Sequence, residues 1–170
     1  MILTTLLKSQ GGPMQDFDAV RRGLIIGAGL ASFAAAAVPA TGAAAATQTP
    51  AEAANAKLVQ DFVRTWGEAD FDPDKVMPTY LAANGRVRMT QDMPWVTGPA
   101  AVATSFKPFL KNGERYPVEF LDVFARGPLV TTHRIDTVLT PGKPNQKMEV
   151  LGVFLLKDGK IQEWSDYLVG

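Results

Sequence analysis

The chain has no cysteine and a single histidine, His133, among its 170 residues. Disulfides, thiolate nucleophiles and cysteine-ligated metals are therefore excluded. One histidine cannot supply the paired imidazoles of a common zinc site, and no calcium-loop spacing is present. A metal centre would need carboxylates alone. Neither sign of charge is in excess, with 17 Lys+Arg against 17 Asp+Glu, so nothing points to a nucleic-acid surface. Any chemistry is expected to run without metal or cofactor.

Composition changes sharply near residue 47. Gly23 to Ala40 is an uncharged, Ala- and Gly-rich apolar run, preceded by Arg21-Arg22 and followed by Thr41-Gly42-Ala43-Ala44-Ala45-Ala46. A basic start, an apolar middle and a small-residue end make a secretory signal. The paired arginines and the weakly hydrophobic middle resemble a twin-arginine signal. Val20 and Leu24 stand where that signal has Ser or Thr and Phe. Residues 1–46 are thus expected to be an export signal that is cleaved, leaving a periplasmic or secreted domain, 47–170, with no membrane segment. A retained membrane anchor is the alternative, since 18 apolar residues just reach across a bilayer.

The remaining chain reads helices first, strands last. Thr49-Pro50-Ala51-Glu52 is a capping box with proline at the first helical position. Leu58, Phe62 and Trp66 recur at helical spacing behind it, up to a stop at Gly67. Asp72-Pro73 opens a second helix holding Val76, Met77, Tyr80 and Leu81. Asn84-Gly85 is a turn signal, with a strand expected over 86–91. Gly98-Pro99 opens a third helix that Pro108 bends or shortens. Four strands follow, at 116–124, 129–139, 146–156 and 160–169. This order predicts an α+β domain with helices packed on one face of a curved sheet. On the third of these strands, Met148, Val150 and Phe154 face one way and Leu151, Val153 and Leu155 the other. Both faces are apolar and both need cover. Helices cover one; a second copy of the chain, giving a homodimer through the convex face, is expected to cover the other.

The chemistry-bearing residues lie on these strands. Arg134 and Asp136 are two apart and share a face, with Val130, Thr132 and Val138 beside them. Trp164 and Asp166 likewise share a face. A surface ion pair is the plain reading of Arg134 and Asp136; the apolar neighbours favour a pocket. His133 points away from Arg134, and Asp122 reads as a solvated strand residue. Asp158-Gly159 permits two hairpins. A two-residue loop places Asp166 opposite Leu151, and a three-residue loop places it opposite Val150.

Arg134-Ile135-Asp136, followed by Gly159-Lys160-Ile161-Gln162-Glu163-Trp164-Ser165-Asp166-Tyr167, resembles limonene-1,2-epoxide hydrolases, as does Leu151-Gly152-Val153-Phe154 between them. The resemblance covers most of 55–170 and implies the cone-shaped nuclear transport factor 2-like fold, with a mixed or antiparallel sheet. It further implies one-step epoxide hydrolysis. Asp166 would be the base that deprotonates water, Asp136 the acid that protonates the epoxide oxygen, and Arg134 the bridge. Holding an aspartic acid protonated near pH 7, against a free pKa of ~3.9, takes about 4 kcal/mol. Burial and a neighbouring carboxylate supply shifts of that size.

One departure stands out. The family's water-holding Tyr-x-Asn is matched here by Thr90-Gln91-Asp92, which leaves a short hydroxyl and a third carboxylate. The expected pocket residues are Trp164, Met148, Val150, Phe109 and Leu168, suited to a small apolar substrate or ligand. Two other readings remain open: an isomerase or cyclase of the same superfamily, and a non-catalytic periplasmic ligand-binding domain.

Overall fold

The computed structural model describes residues 48–169; the expected export signal lies outside them. Helix α1, Pro50–Arg64, starts as its capping box dictates. Thr49 Oγ1 accepts from the Glu52 amide at 3.2 Å and Glu52 Oε2 accepts from the Thr49 amide at 2.8 Å. Glu52 Oε1 also accepts from the Gly127 amide at 2.8 Å, which ties the first turn of α1 to the sheet. The inward stripe Ala56, Val59, Phe62 and Val63 is buried. The helix tightens into a 3-10 turn, Thr65–Gly67, that carries Trp66. Gly67 lies against Pro117: an added Cβ would come 2.8 Å from the proline Cα.

Helix α2, Pro73–Tyr80, is capped by Asp72 and has proline at its first position. It gives way directly to strand β1, Leu81–Arg88. This corrects two expectations. Leu81 belongs to the strand, and Asn84-Gly85 is no turn. It lies in an irregular stretch of β1 where the register against the last strand slips between Leu81 and Arg86. Gly85 is buried there because a Cβ would sit 2.9 Å from the Ile161 carbonyl oxygen. Residues 89–91, expected at the end of this strand, form bends and a turn.

The short strand β2, Val96–Thr97, precedes helix α3, Pro99–Phe106, which continues as a 3-10 turn through Leu110. Pro108 falls in that turn and accounts for the early end of α3. Strands β3, Val118–Arg126, β4, Leu129–Val138, β5, Gln146–Lys157, and β6, Lys160–Leu168, follow as the sequence indicated. The sheet order is β2-β1-β6-β5-β4-β3, antiparallel except for the parallel β1–β6 pair. The fold is α+β, with three helices against a six-stranded mixed sheet.

The β5–β6 hairpin follows neither of the two registers read from sequence. Its loop has two residues, Asp158-Gly159, both at positive φ, and Lys157 faces Lys160. The ladder then slips: Leu156 faces Ile161 but Leu155 faces Glu163, leaving Gln162 as a bulge. Asp166 consequently stands opposite Gly152.

The two faces of β5 divide as their alternation predicts. Val150, Gly152, Phe154 and Leu156 are buried under the helices, while Leu151 and Leu155 are exposed. The core is dominated by aromatic rings. Trp164 stacks on Phe154 at 5.9 Å between centroids and on Trp66 at 5.1 Å, and meets Phe62 edge-on at 5.6 Å. Such pairs add about 0.5–1.5 kcal/mol each beyond their buried area.

Candidate active site

Strand alternation places Val130, Thr132, Arg134 and Asp136 of β4 on the buried face. Arg134 is fully buried, a condition a guanidinium tolerates only when its donors are satisfied. Its Nε donates to Asp136 Oδ1 at 2.9 Å and its Nη2 to Asp136 Oδ2 at 3.2 Å. On the other side Nη2 donates to Asp166 Oδ2 at 2.5 Å and Nη1 to Asp166 Oδ1 at 3.2 Å. Nη1 also donates to Thr132 Oγ1 at 3.0 Å. One planar fork therefore grips two carboxylates, a geometry lysine could not supply.

The two acids differ. Among the described residues, Asp136 accepts only from Arg134. Asp166 accepts in addition from the Trp164 indole, Nε1 to Oδ1 at 2.7 Å. Burial raises both carboxyls above the ordinary aspartate range, offset in each by Arg134. Asp136 is raised further by the charge of Asp166, whereas the Trp164 hydrogen bond lowers Asp166. Extra donors favour the ionised form. Burial, the largest cause in both, pushes each acid toward its protonated form, and the Trp164 donor is the one lowering influence that Asp166 has and Asp136 lacks. Burial works against the charge of Arg134, but the two carboxylates outweigh it and raise its pKa. With one proton retained, the cluster of one cation, one anion and one neutral acid has no net charge, which is the least costly state in an apolar core.

Gly152 makes the arrangement possible. A Cβ at this position would come 2.4 Å from Arg134 Nη1, 2.6 Å from Thr132 Oγ1 and 2.8 Å from Phe154 Cε2. The guanidinium occupies the space a side chain would take. From sequence Thr132 was read only as a neighbour on the Arg134 face and Gly152 only as part of a family-like stretch, neither as a site residue. A glycine inside an otherwise apolar strand is the one signal of close approach that could have marked the first.

The other expected site residues fall less uniformly. Trp164 is in the aromatic core and serves the site through its N–H, rather than as an open pocket wall. Val150 is buried opposite Arg134, and Met148 is half-buried opposite Asp136. Leu168 pairs with Val150 but is 42% exposed, and Phe109 is 39% exposed on the 3-10 turn after α3. Thr90 is half-buried in the bend after β1, and Asp92 is exposed in the turn that follows. No hydrogen bond or ion pair among the described residues links Asp92 to the Arg134 cluster, so a third carboxylate is not crowded into it. His133 lies on the outer face with Glu149 at 2.6 Å. Among the described residues no His, Asp and Glu grouping suits a metal ion.

Three helices packed on one face of a six-stranded mixed sheet define an α+β domain of the nuclear transport factor 2-like type, here with a buried Asp-Arg-Asp cluster on the helix-covered face. The model of the limonene-1,2-epoxide hydrolase catalytic domain matches residues 53–169, and the chain belongs to that family. No curated protein matches it in sequence. Among solved structures it is similar to an LEH-like epoxide hydrolase of M. tuberculosis, at 22% identity and a TM-score of 0.60, covering 71% of this chain and 86% of that one. A protein described as a SnoaL-like polyketide cyclase from Jannaschia sp. CCS1 follows at 20% identity and 0.59, covering 72% and 90%. A protein with a ketosteroid isomerase-like fold from Catenulispora acidiphila stands at 17% and 0.57, covering 71% and 86%. At these identities the structural likenesses establish the fold.

Proposed function

We propose that the protein is an epoxide hydrolase adding water to a small apolar epoxide in one step, without metal or cofactor. The observation that carries this reading is the double grip of Arg134 on Asp136 and Asp166. Asp166, the better solvated by donors, takes a proton from water as the water oxygen bonds to an epoxide carbon. The carbon–oxygen bond of the ring breaks, and Asp136 delivers its proton to the departing oxygen. One proton enters the acid pair and one leaves it. The cluster keeps its net charge throughout, so no charge has to be created in the core. Arg134 holds both acids in place and keeps their roles apart.

An isomerase or cyclase reading is favoured by one observation. By the resemblance Thr90 and Asp92 stand where the family holds its water, and in the structure Asp92 is exposed. A proton transfer beside a carbonyl would need no such water. The two readings separate on incubation with cyclohexene oxide and limonene oxide in oxygen-18 water. Labelled diol supports hydrolysis, and its loss in Asp166→Asn supports the base. No labelled diol from either epoxide would sink the hydrolase reading.

The exposed outer-face residues Phe124, Leu129, Leu151, Leu155 and Tyr167 support a homodimer through the convex side of the sheet. Sedimentation velocity reads this directly: a monomer at micromolar concentration removes it. Export as a periplasmic or secreted protein remains part of the proposal and is read by fractionation of the full-length chain.

A further inference from the structure

Trp66 Nε1 is a buried side-chain nitrogen that has no hydrogen-bond partner among the described residues. Trp66 is 4% exposed, so solvent does not satisfy that N–H. Leaving a donor unpaired in an apolar core is costly, and an orphan of this kind calls for an explanation. Its position supplies one. The ring stacks on Trp164, whose own N–H holds Asp166, and the Arg134 guanidinium carbon lies 5.4 Å from its centroid. The indole thus packs beside the guanidinium that holds both acids, and its aromatic neighbours Phe62, Phe106 and Trp164 form an apolar surround.

We propose that Trp66 Nε1–H donates to the oxygen of the bound substrate, acting beside Asp136 as a second electrophile. The proposal rests on the hydrolase reading and names a group that reading lacks. Indole nitrogen is a donor only. It could bind a water solely through the oxygen lone pairs, drawing off the electron density a nucleophile needs. It suits an oxygen that accepts, and suits it best when that oxygen gains negative charge as the ring opens. The class of ligand is a neutral ether, carbonyl or hydroxyl oxygen on an apolar body.

The test uses Trp66→Phe, which keeps a ring in the stack and removes the N–H, together with wild-type protein labelled with nitrogen-15 at tryptophan. The chain has three tryptophans, so its indole signals can be assigned with Trp66→Phe and Trp95→Phe. Titration with trans-cyclohexane-1,2-diol is expected to move the Trp66 indole proton downfield. Turnover of cyclohexene oxide by Trp66→Phe is expected to fall about tenfold or more in kcat with KM little changed, the mark of an interaction made in the transition state. A diol that moves other indole signals but not that of Trp66, or a variant with wild-type kcat, overturns the proposal and leaves the hydrolase reading standing. A moving Trp66 signal in a protein that forms no diol keeps the donor and removes the hydrolysis. No moving signal and no diol removes both. If the variant fails to fold, the wild-type titration decides.

Discussion

Replacing Gly152 by alanine adds one carbon at the most crowded point of the site. That carbon would sit 2.4 Å from Arg134 Nη1 and 2.6 Å from Thr132 Oγ1. A flexible side chain could swing away at little cost, but this one is held at Nε, Nη1 and Nη2 by Asp136, Asp166 and Thr132. Overpacking of a core costs about 1–3 kcal/mol. Moving Nη1 also weakens its bonds to Asp166 and Thr132, and a hydrogen bond to a charged group contributes about 1.5–3 kcal/mol. The sum is about 2.5–6 kcal/mol, or a melting temperature lowered by about 10–25 °C in a domain of this size. Diol formation should fall by at least about a hundredfold, because displacing the fork unsettles both carboxylates at once. Thermal unfolding and turnover of cyclohexene oxide, on the same preparation, check both numbers. A variant that melts within about 2 °C of wild type and keeps its rate would refute the claim that Gly152 is required by the guanidinium.

Trp164→Phe removes one donor from Asp166 while keeping a ring against Phe154. The lost bond had lowered the Asp166 pKa, so the pKa rises and the acid limb of the kcat/KM profile moves to higher pH; an unmoved limb would remove Asp166 as the group that limb reports. Asp136→Asn tests the stability side. Burial holds the folded pKa of Asp136 above the ordinary aspartate value, so its contribution is fully present below the unfolded value and is lost as pH rises through the folded one. The melting temperature of Asp136→Asn relative to wild type should therefore climb as pH rises above about 4. A difference flat from pH 4 to 8 would mean that Asp136 is not perturbed in the fold.

The strands and most of the helices were legible because their periodicities and turn residues are local. Arg134 and Asp136 were legible for the same reason: two positions apart on a strand is one face. What escaped depends on residues far apart in the chain. Asn84-Gly85 has every local mark of a turn, yet Gly85 is fixed by the Ile161 carbonyl across the parallel β1–β6 pair. Trp66 read as a helix residue of the core and Trp164 as a pocket residue beside Asp166; only the assembled core shows the Trp164 indole N–H engaged and that of Trp66 without a partner among the described residues. The resemblance to epoxide hydrolases identified the three charges; it did not reveal that Asp166 has one donor more than Asp136.

The bulge at Gln162 has a consequence for how such a site can be gained or lost. Partners across an antiparallel pair share a face, and the slip at Gln162 is what sets Asp166 against inward-facing Gly152. Without it, the same two-residue loop would bring Asp166 against outward-facing Leu151, and every side chain beyond would exchange sides. Deleting Gln162 would remove the bulge and keep Asp166 opposite Gly152, whereas closing the bulge at constant length acts like a frameshift in three dimensions. Such closure leaves the composition of the strand intact and turns its acid out of the core.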